Sequence, residues 1–326
     1  MVTFFSTVPG ALILLILGFI FLIKGADFFV EGASAVAKKL HVPALVIGMT
    51  IVAMGTSLPE LSVSVTASLA GSNQLAIGNV VGSNIFNLMV VLGSCALFSS
   101  LMVADETIKR DFPFSVGCTL GLMVLGLIEN SVGHFDGAIL LVFFAIFLGI
   151  MLKSAMKSRN AVKESNEEQE IVDIPTWLCI IYIVGGAVAI KFGGDWVVDS
   201  CTTLALKFGM SETLVGLTIV ALGTSLPELV TSVVAAKKNE LDMAIGNVVG
   251  SNVFNVLLIL GVAGAISPMT YLTVNAIDTL ILVAFSGIIW IFCIKKKSLN
   301  RVNGIIMLAL YFTYLAYIII RDGGLS

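Results

Sequence analysis

One stretch of this chain occurs twice with almost the same letters. GMTIVAMGTSLPEL at residues 48–61 returns as GLTIVALGTSLPEL at residues 216–229, 168 positions later. Each copy places one carboxylate, Glu60 or Glu228, inside an apolar run. A fixed-offset repeat that carries a charged residue in apolar sequence indicates a binding site at the interface between two repeats.

A second stretch is duplicated with the same offset. AIGNVVGSNIFN at 76–87 returns as AIGNVVGSNVFN at 244–255, again 168 positions later. Because both blocks share one offset, they belong to one duplicated unit and are not two independent motifs.

The composition predicts a membrane protein. Hydrophobic residues make up 58% of the chain and charged residues 12%, whereas about 25% of the residues of a soluble domain are charged. Runs of about 20 apolar residues recur along most of the length, as in polytopic helical membrane proteins. The first run, 11–23, lacks a basic flank and a small-residue cleavage site, so we expect a retained span. No basic patch with interleaved aromatic residues suggests a nucleic-acid partner.

The apolar runs predict an all-α protein of ten transmembrane helices. One long polar stretch, 157–173, divides them into two sets of five. We therefore expect a first five-helix half at 1–156, a linker at 157–174 and a second five-helix half at 175–326. The predicted helices lie at 9–31, 43–70, 74–100, 112–129, 135–153, 175–200, 212–236, 243–267, 271–294 and 302–320.

The basic residues of the connecting segments give the predicted orientation. They fall in alternate loops, and the remaining loops and termini carry only Lys207 and Arg321. The positive-inside rule then places both termini outside the cell membrane and the linker in the cytoplasm. With five spans per half, the second half starts from the opposite side, so the two repeats are predicted to be inverted. The basic residues are Lys38, Lys39, Lys109, Arg110, the segment 153–163, Lys237, Lys238, Lys295, Lys296, Lys297 and Arg301.

The GTSLPE motif is a poor continuous helix. Pro59 and Pro227 each remove a backbone donor and clash with the preceding turn, so we predict that the second and seventh helices are broken there. Such breaks are tolerated at membrane depth only where they are buried in protein or line a polar cavity. Hydroxyl oxygens and freed carbonyl oxygens would then surround the two glutamates. A ligand set made only of oxygens suits Na⁺ and Ca²⁺ better than zinc or copper.

The second block supplies the other predicted wall of this site. Ser83 and Asn87 are four residues apart, as are Ser251 and Asn255, so each pair shares one helix face. Two carboxylates balance one Ca²⁺, and an unpaired charge at mid-bilayer costs at least about 2.5–3.5 kcal/mol. An empty site is therefore disfavoured, which favours ion exchange over a simple leak. Four further amides are either ligands or interhelical hydrogen-bond partners: Asn79, Asn84, Asn247 and Asn252.

These paired blocks in a ten-span inverted repeat resemble the α-repeats of the sodium/calcium exchangers, within the calcium/cation antiporter superfamily, over essentially the whole chain. The resemblance implies a compact prokaryotic exchanger that moves three Na⁺ against one Ca²⁺, electrogenically, while the first and sixth helices slide across a stationary core. It implies that Glu60 and Glu228 bind Ca²⁺ with oxygens of Thr56 and Thr224. The implied flanking Na⁺ sites use Ser57, Ser83, Ser225 and Ser251 with the carbonyls of Ala53 and Ala221.

Two departures from the family pattern refine this expectation. Some relatives, including the potassium-dependent exchangers, carry an aspartate where this chain has Asn255, and here both Asn87 and Asn255 are amides. Exchange is therefore expected to be independent of K⁺. The stretch 157–173 is too short for the regulatory domain of animal exchangers. Na⁺ and Ca²⁺ are expected as substrates in the lipid bilayer, with no cofactor and no obligate protein partner.

Other interpretations of the same residues stay open. Glu60 and Glu228 are alternatively structural carboxylates paired with Lys24 or Lys191, or proton carriers in a H⁺/Ca²⁺ antiporter on the same scaffold. A channel would need a filter-like ring, which no motif provides. An intramembrane hydrolase would need a base beside a motif serine, so no enzymatic activity is expected.

A second pair of acids repeats with the same offset. Asp27 in GADFFV corresponds to Asp195 in GGDWVV. The two residues are predicted either to guard an ion passage or to lie at helix ends near the membrane interface.

Overall fold

The structure is a computed structural model that describes residues 7–69, 73–165, 174–210, 219 and 221–321. Within these ranges the chain is helical apart from short loops and four two-residue strands. The helices are α1 (Val8–Leu40), α2 (Ala44–Thr56), α3 (Leu58–Leu69), α4 (Asn73–Phe86, continued by Asn87–Val91 and Leu92–Phe98), α5 (Thr107–Glu129), α6 (His134–Ser165), α7 (Thr176–Lys207), α8 (Ala221–Gly223), α9 (Leu226–Lys237), α10 (Leu241–Ile266), α11 (Thr273–Lys296) and α12 (Arg301–Arg321).

The described helices make this a multi-pass membrane protein. Eight of them are long and apolar enough to cross a membrane, and a ninth candidate is the pair α2 and α3, bent by 49°. The predicted seventh helix, 212–236, is represented by α8 and α9, and most of residues 212–220 lie outside the described part of the chain. The count of ten spans stays a prediction.

Several helices are longer than the apolar runs predict. The predicted helix 135–153 continues as α6 to Ser165, so residues 157–165 of the predicted linker are helical, and residues 166–173 lie outside the described ranges. The first and sixth predicted helices likewise extend to Leu40 and Lys207. Hydropathy marks only the part of a helix inside lipid, whereas Ala, Lys and Met continue a helix into the polar region because their helix propensity is high.

Two helices lie at the centre of the molecule. The most apolar windows of α4 and α10, which carry the second repeated block, are buried over 78% of their residues, against 22–33% in the other six full-length spans. Close backbone packing produces this burial: a Cβ added at Gly250 would lie 2.6 Å from Cα of Met49 in α2. The large apolar side chains of the outer helices remain exposed on a surface that suits lipid.

Helices α1 and α7 pack against each other along a seam of glycines. Gly18, Gly25 and Gly32 on α1 are seven residues apart, and they face Gly193, Gly186 and Cys179 in antiparallel order. A Cβ added at Gly193 would lie 2.5 Å from the backbone nitrogen of Leu22. Only glycine permits so close an approach, so the seam fixes how these two helices lie against each other.

Two short strand pairs join loops that are distant in sequence. Strand β1 (Leu101–Met102) pairs with β4 (Ser298–Leu299), and β2 (Ser131–Val132) pairs with β3 (Met269–Thr270), both antiparallel. Beside the first pair, Lys297 contacts Asp105 at 2.6 Å, and this hydrogen-bonded ion pair lowers the pKa of the Asp105 carboxyl. Each strand pair requires that its two loops lie on the same side of the membrane.

Candidate ion-binding site

The two repeated glutamates stand in the first turns of α3 and α9. The helical path breaks at Ser57 and Ser225, whose ψ angles of 7° and 4° are not helical. Each new helix then starts with Leu-Pro-Glu, and both Glu60 and Glu228 are completely buried. A helix N-terminus favours a carboxylate in its first turn because its backbone N–H groups and dipole point there. The predicted break in the GTSLPE motif is present in both copies.

Each glutamate is bonded by the serine of the other repeat. The Ser57 hydroxyl donates to Oε1 of Glu228 at 3.0 Å, and the Ser225 hydroxyl donates to Oε1 of Glu60 at 3.3 Å. The second oxygens, Oε2 of Glu60 and Oε2 of Glu228, have no hydrogen-bond partner in the described structure. The two half-sites therefore form one centre, in which two carboxylate oxygens have no hydrogen-bond partner.

The second repeated block carries further buried polar atoms without hydrogen-bond partners. Ser83 and Ser251 have unpaired hydroxyls, both polar atoms of Asn87 are unpaired, and so is Oδ1 of Asn255. All four residues are at most 2% exposed. Because nearly all buried polar groups in proteins have hydrogen-bond partners, the unpaired oxygens of these repeat-related residues leave lone pairs open to a cation.

The two threonines of the motif are bonded at the same centre. The Thr56 hydroxyl lies 3.1 Å from Oδ1 of Asn247, and the Thr224 hydroxyl lies 3.4 Å from Oδ1 of Asn79. The Ala53 carbonyl accepts the backbone N–H of Ser57 at 3.0 Å and lies 3.3 Å from the Thr56 hydroxyl. Its repeat counterpart Ala221 begins α8.

The asparagines that the sequence left unassigned bind other protein groups. Asn84 donates to the carbonyl of Asn252 at 3.1 Å, and Asn252 donates to the carbonyl of Asn84 at 3.3 Å, which joins α4 to α10. Asn255 donates to Oδ1 of Asn84 at 3.0 Å. Asn87 and Asn255 each begin a five-residue π-helical segment, and such segments occur often at functional sites.

The alternative of structural carboxylates paired with lysine is not supported. Lys191 binds Asp195 at 2.6 Å, and both side chains are almost half exposed. Among the residues that the structure describes, no Lys, Arg or His forms an ion pair with Glu60 or Glu228. Two buried carboxylates without a protein cation need either a proton or a cation from elsewhere.

Sequence reasoning missed Ser64 and Ser232, which accept the amide N–H groups of Asn79 and Asn247 at 3.2 and 2.9 Å. The signal was present in the sequence: a serine follows each motif glutamate by four positions, although two of the three residues between them differ. The repeat thus extends beyond the two blocks.

The fold and its buried acidic centre define a class of protein, the polytopic membrane transporters. The chain belongs to the sodium/calcium exchanger protein family, whose model matches residues 10–153 and again residues 178–320.

Individual relatives match along nearly their whole lengths. The sodium/calcium exchanger MaX1 of Methanosarcina acetivorans is 33% identical over 93% of this chain and 97% of its own. The Alkalimonas amylolytica protein CaxA is 39% identical over 93% of this chain and 97% of its own. A solved structure of the sodium-calcium exchanger NCX_Mj, soaked with Na⁺ and Sr²⁺, superimposes with a TM-score of 0.82 at 32% identity and covers 95% of this chain and 99% of that one.

Proposed function

We propose that this protein exchanges Na⁺ for Ca²⁺ across the membrane by alternating access, electrogenically and without K⁺. The observation that carries the proposal is the reciprocal contact of Ser57 with Glu228 and of Ser225 with Glu60. It encloses two buried carboxylates, each with one unpaired oxygen, at the centre of a membrane protein. The similarity to MaX1 and NCX_Mj, both described as sodium/calcium exchangers, supports the same two ions.

The proposed assignment of ligands follows charge and burial. Ca²⁺ is held by Glu60 and Glu228, whose two charges it balances, with oxygens of Thr56 and Thr224. Na⁺ occupies flanking positions, because neutral hydroxyl and carbonyl oxygens suit a monovalent cation. The middle position carries the amides Asn87 and Asn255. The flanking positions are built from Ser57, Ser83, Ser225, Ser251, Ala53 and Ala221.

Exchange is favoured over a leak by the cost of the empty site. With both glutamates ionised and no cation, two charges would stay buried without a partner, and the effective desolvation penalty is several kcal/mol per ion. One cation therefore leaves readily only when others replace it. Three Na⁺ in place of one Ca²⁺ would move one net charge per cycle, which is the basis of the proposed electrogenicity.

An inverted repeat of ten spans is supported by the reciprocal contacts and by the strand pairs. When residue i of one copy contacts j of the other and the reverse also holds, a two-fold axis relates the copies. Between β1 and β4 lie five described candidate spans, and between β2 and β3 lie three. Strands on one side of a membrane need an even number of crossings between them. A further span near 212–237 makes both numbers even.

The α1–α7 pair is the proposed moving part. A cavity of about 400 Å³ is lined by α7 and by residues next to the two helix breaks, with Asp195, Asp199 and Thr224 in its wall. At the other end, Lys238 at the end of α9 binds Asp27 of α1 at 2.6 Å. This arrangement fits a site reached from the outer side and closed toward the cytoplasm, where we propose that the linker lies.

Calcium uptake into proteoliposomes tests the proposal. Vesicles loaded with Na⁺, with K⁺, or with a pH gradient alone are diluted into radioactive Ca²⁺. We expect uptake in Na⁺-loaded vesicles, unchanged by K⁺ and increased by a membrane potential that draws net charge in the direction of Na⁺ exit. Uptake driven by the pH gradient but not by Na⁺ would replace the proposal by the H⁺/Ca²⁺ alternative, which the same carboxylates permit.

A further inference from the structure

Two three-residue hydrogen-bond chains lie behind the threonines of the site. In the first, Thr56 Oγ1 donates to Asn247 Oδ1 at 3.1 Å, and Asn247 Nδ2 donates to Ser232 Oγ at 2.9 Å. The second chain has the equivalent residues of the other repeat in the order Thr224, Asn79 and Ser64, with longer bonds of 3.4 and 3.2 Å. The same chain is thus built twice, and each copy crosses from one repeat to the other.

The first chain is the better enclosed of the two. Thr56, Asn247 and Ser232 are each at most 1% exposed, whereas Asn79 and Thr224 in the second chain are partly exposed. A hydrogen bond withdrawn from water is electrostatically stronger. The Ser232–Asn247–Thr56 chain should therefore have the larger effect on the site.

A hydroxyl can bind a cation only through its lone pairs, so its proton has to point elsewhere. Three acceptors lie within hydrogen-bond distance of the Thr56 hydroxyl: the amide oxygen of Asn247 at 3.1 Å, the carbonyl of Val52 at 3.2 Å and the carbonyl of Ala53 at 3.3 Å. Of the three, Asn247 belongs to the other repeat. A proton directed to its amide oxygen leaves the lone pairs of Thr56 free to bind a cation.

The orientation of the Asn247 amide depends on Ser232. If the amide were turned by half a rotation, its N–H₂ group would face Thr56 and push the hydroxyl proton toward the cation. Ser232 accepts from Nδ2 and so keeps Oδ1 on the side of Thr56. Ser232 itself makes no hydrogen bond to either glutamate in the described structure.

We infer that Asn247, held by Ser232, is a positioning residue for cation binding that acts through the Thr56 hydroxyl. Residues behind a metal ligand orient it, and their removal typically weakens metal binding by about 10–100-fold. The inference rests on the proposed function for the identity of the cation. Its mechanism, the direction of one hydroxyl proton, holds for any cation at the acidic centre.

Ser232→Ala tests the inference without touching the acidic centre. We expect the apparent KM for Ca²⁺ to rise about 10-fold, with the maximum rate retained and with recovery in Ser232→Thr. The matched control is Ser68→Ala, because Ser68 is also a buried serine but donates to the carbonyl of Ala263. Equal KM values in Ser232→Ala and Ser68→Ala would overturn the inference.

A double-mutant cycle shows whether the effect passes through Thr56. In the Thr56→Val background, Ser232→Ala should change the KM for Ca²⁺ by less than about 2-fold, because no hydroxyl remains to be oriented. Effects that multiply fully would mean that Ser232 acts only on packing. Ser64→Ala, on the more exposed chain, should give a smaller change than Ser232→Ala and provides a second variant if the first does not fold.

A binding measurement separates this inference from the proposed function. The purified protein is titrated with Ca²⁺, Na⁺ and Mg²⁺, and the rise in melting temperature is recorded for each ion. If the unaltered protein shows no Na⁺-driven Ca²⁺ uptake, the proposed function fails. The inference still stands or falls on whether Ser232→Ala weakens binding of whichever cation stabilises the protein.

Discussion

Two pairs of acids share the 168-residue offset, and they differ in how far their surroundings match. Glu60 and Glu228 are completely buried and have equivalent partners, each the serine of the other repeat. Asp27 and Asp195 are partly exposed and have unlike partners. Residues that jointly form one centre have to keep matching contacts, whereas residues at opposite ends of the molecule face different surroundings and are free to diverge.

Asp27 and Asp195 differ because each forms an ion pair with a lysine at a different kind of position. Asp27 binds Lys238, which belongs to α9, so this contact ties two helices together. Asp195 binds Lys191, one turn away in its own helix. The position that corresponds to Lys238 in the first repeat is Ala70. Asp195 therefore has no lysine at the position equivalent to Lys238 with which to form the same kind of ion pair between two helices.

The largest expected effect is on the central pair. Glu60→Gln and Glu228→Gln should each reduce Na⁺-driven Ca²⁺ uptake by at least about 100-fold, because breaking a buried charge arrangement costs about 3–5 kcal/mol. The measurement is initial uptake into proteoliposomes, with Asp195→Asn as the control that removes an outer carboxyl. Unequal losses in the two glutamate variants would show that the centre is less symmetric than its contacts.

A smaller effect is expected where α1 and α7 meet. A Cβ at Gly193 would lie 2.5 Å from the backbone of Leu22. A Cβ at Gly149 on α6 would have no described atom of a neighbouring element within 4 Å. Gly193→Ala should therefore destabilise the protein by about 1–3 kcal/mol, the usual cost of overpacking. Gly149→Ala should leave stability unchanged. Thermal unfolding in detergent compares the two, and equal melting temperatures would contradict the tight seam.

The tie at Asp27 should have a moderate effect. Lys238→Met leaves Asp27 and Glu31 without the lysine that both contact, at 2.6 and 3.3 Å. Partly exposed ion pairs contribute about 0.2–1 kcal/mol each, so the loss of both should shift the equilibrium by about 2–30-fold toward the state open to the cytoplasm.

Labelling of a single engineered cysteine near the site by a thiol reagent that does not cross the membrane measures this shift. Lys237→Met is the matched control, because Lys237 lies over the ring of Phe98. If both variants label alike, Lys238 does not tie the cytoplasmic end.

The smallest effect is expected at Asp195. Lys191→Met removes an exposed pair within one helix, which is worth about 0.3–0.5 kcal/mol, so uptake should change by less than about 2-fold. The same labelling assay applies. A shift as large as that of Lys238→Met would mean that the two ends are equivalent, and the contrast between the acid pairs would be lost.

The sequence predicts the burial of the two glutamates and the two helix breaks, but not the partners of Asp27 and Asp195. The offset and the proline after Ser57 were enough to predict the buried glutamates and the helix breaks, since both follow from local backbone chemistry repeated twice. Whether Asn84 and Asn79 bind ions or protein was not predictable, because one side chain serves either role until its neighbours are known. The partner of Asp27 depends on how α1 lies against α9, which no periodicity in either helix records.

The strand pairs also bear on how the protein is made. Leu101 and Met102 are synthesised long before their partners Leu299 and Ser298. Ser131 is likewise synthesised long before its partner Thr270. Neither pair can form until most of the second half has been inserted in the correct orientation. The strand pairs therefore form last. If one of the helices between β2 and β3 failed to cross the membrane, the paired loops would lie on opposite sides and neither strand pair could form.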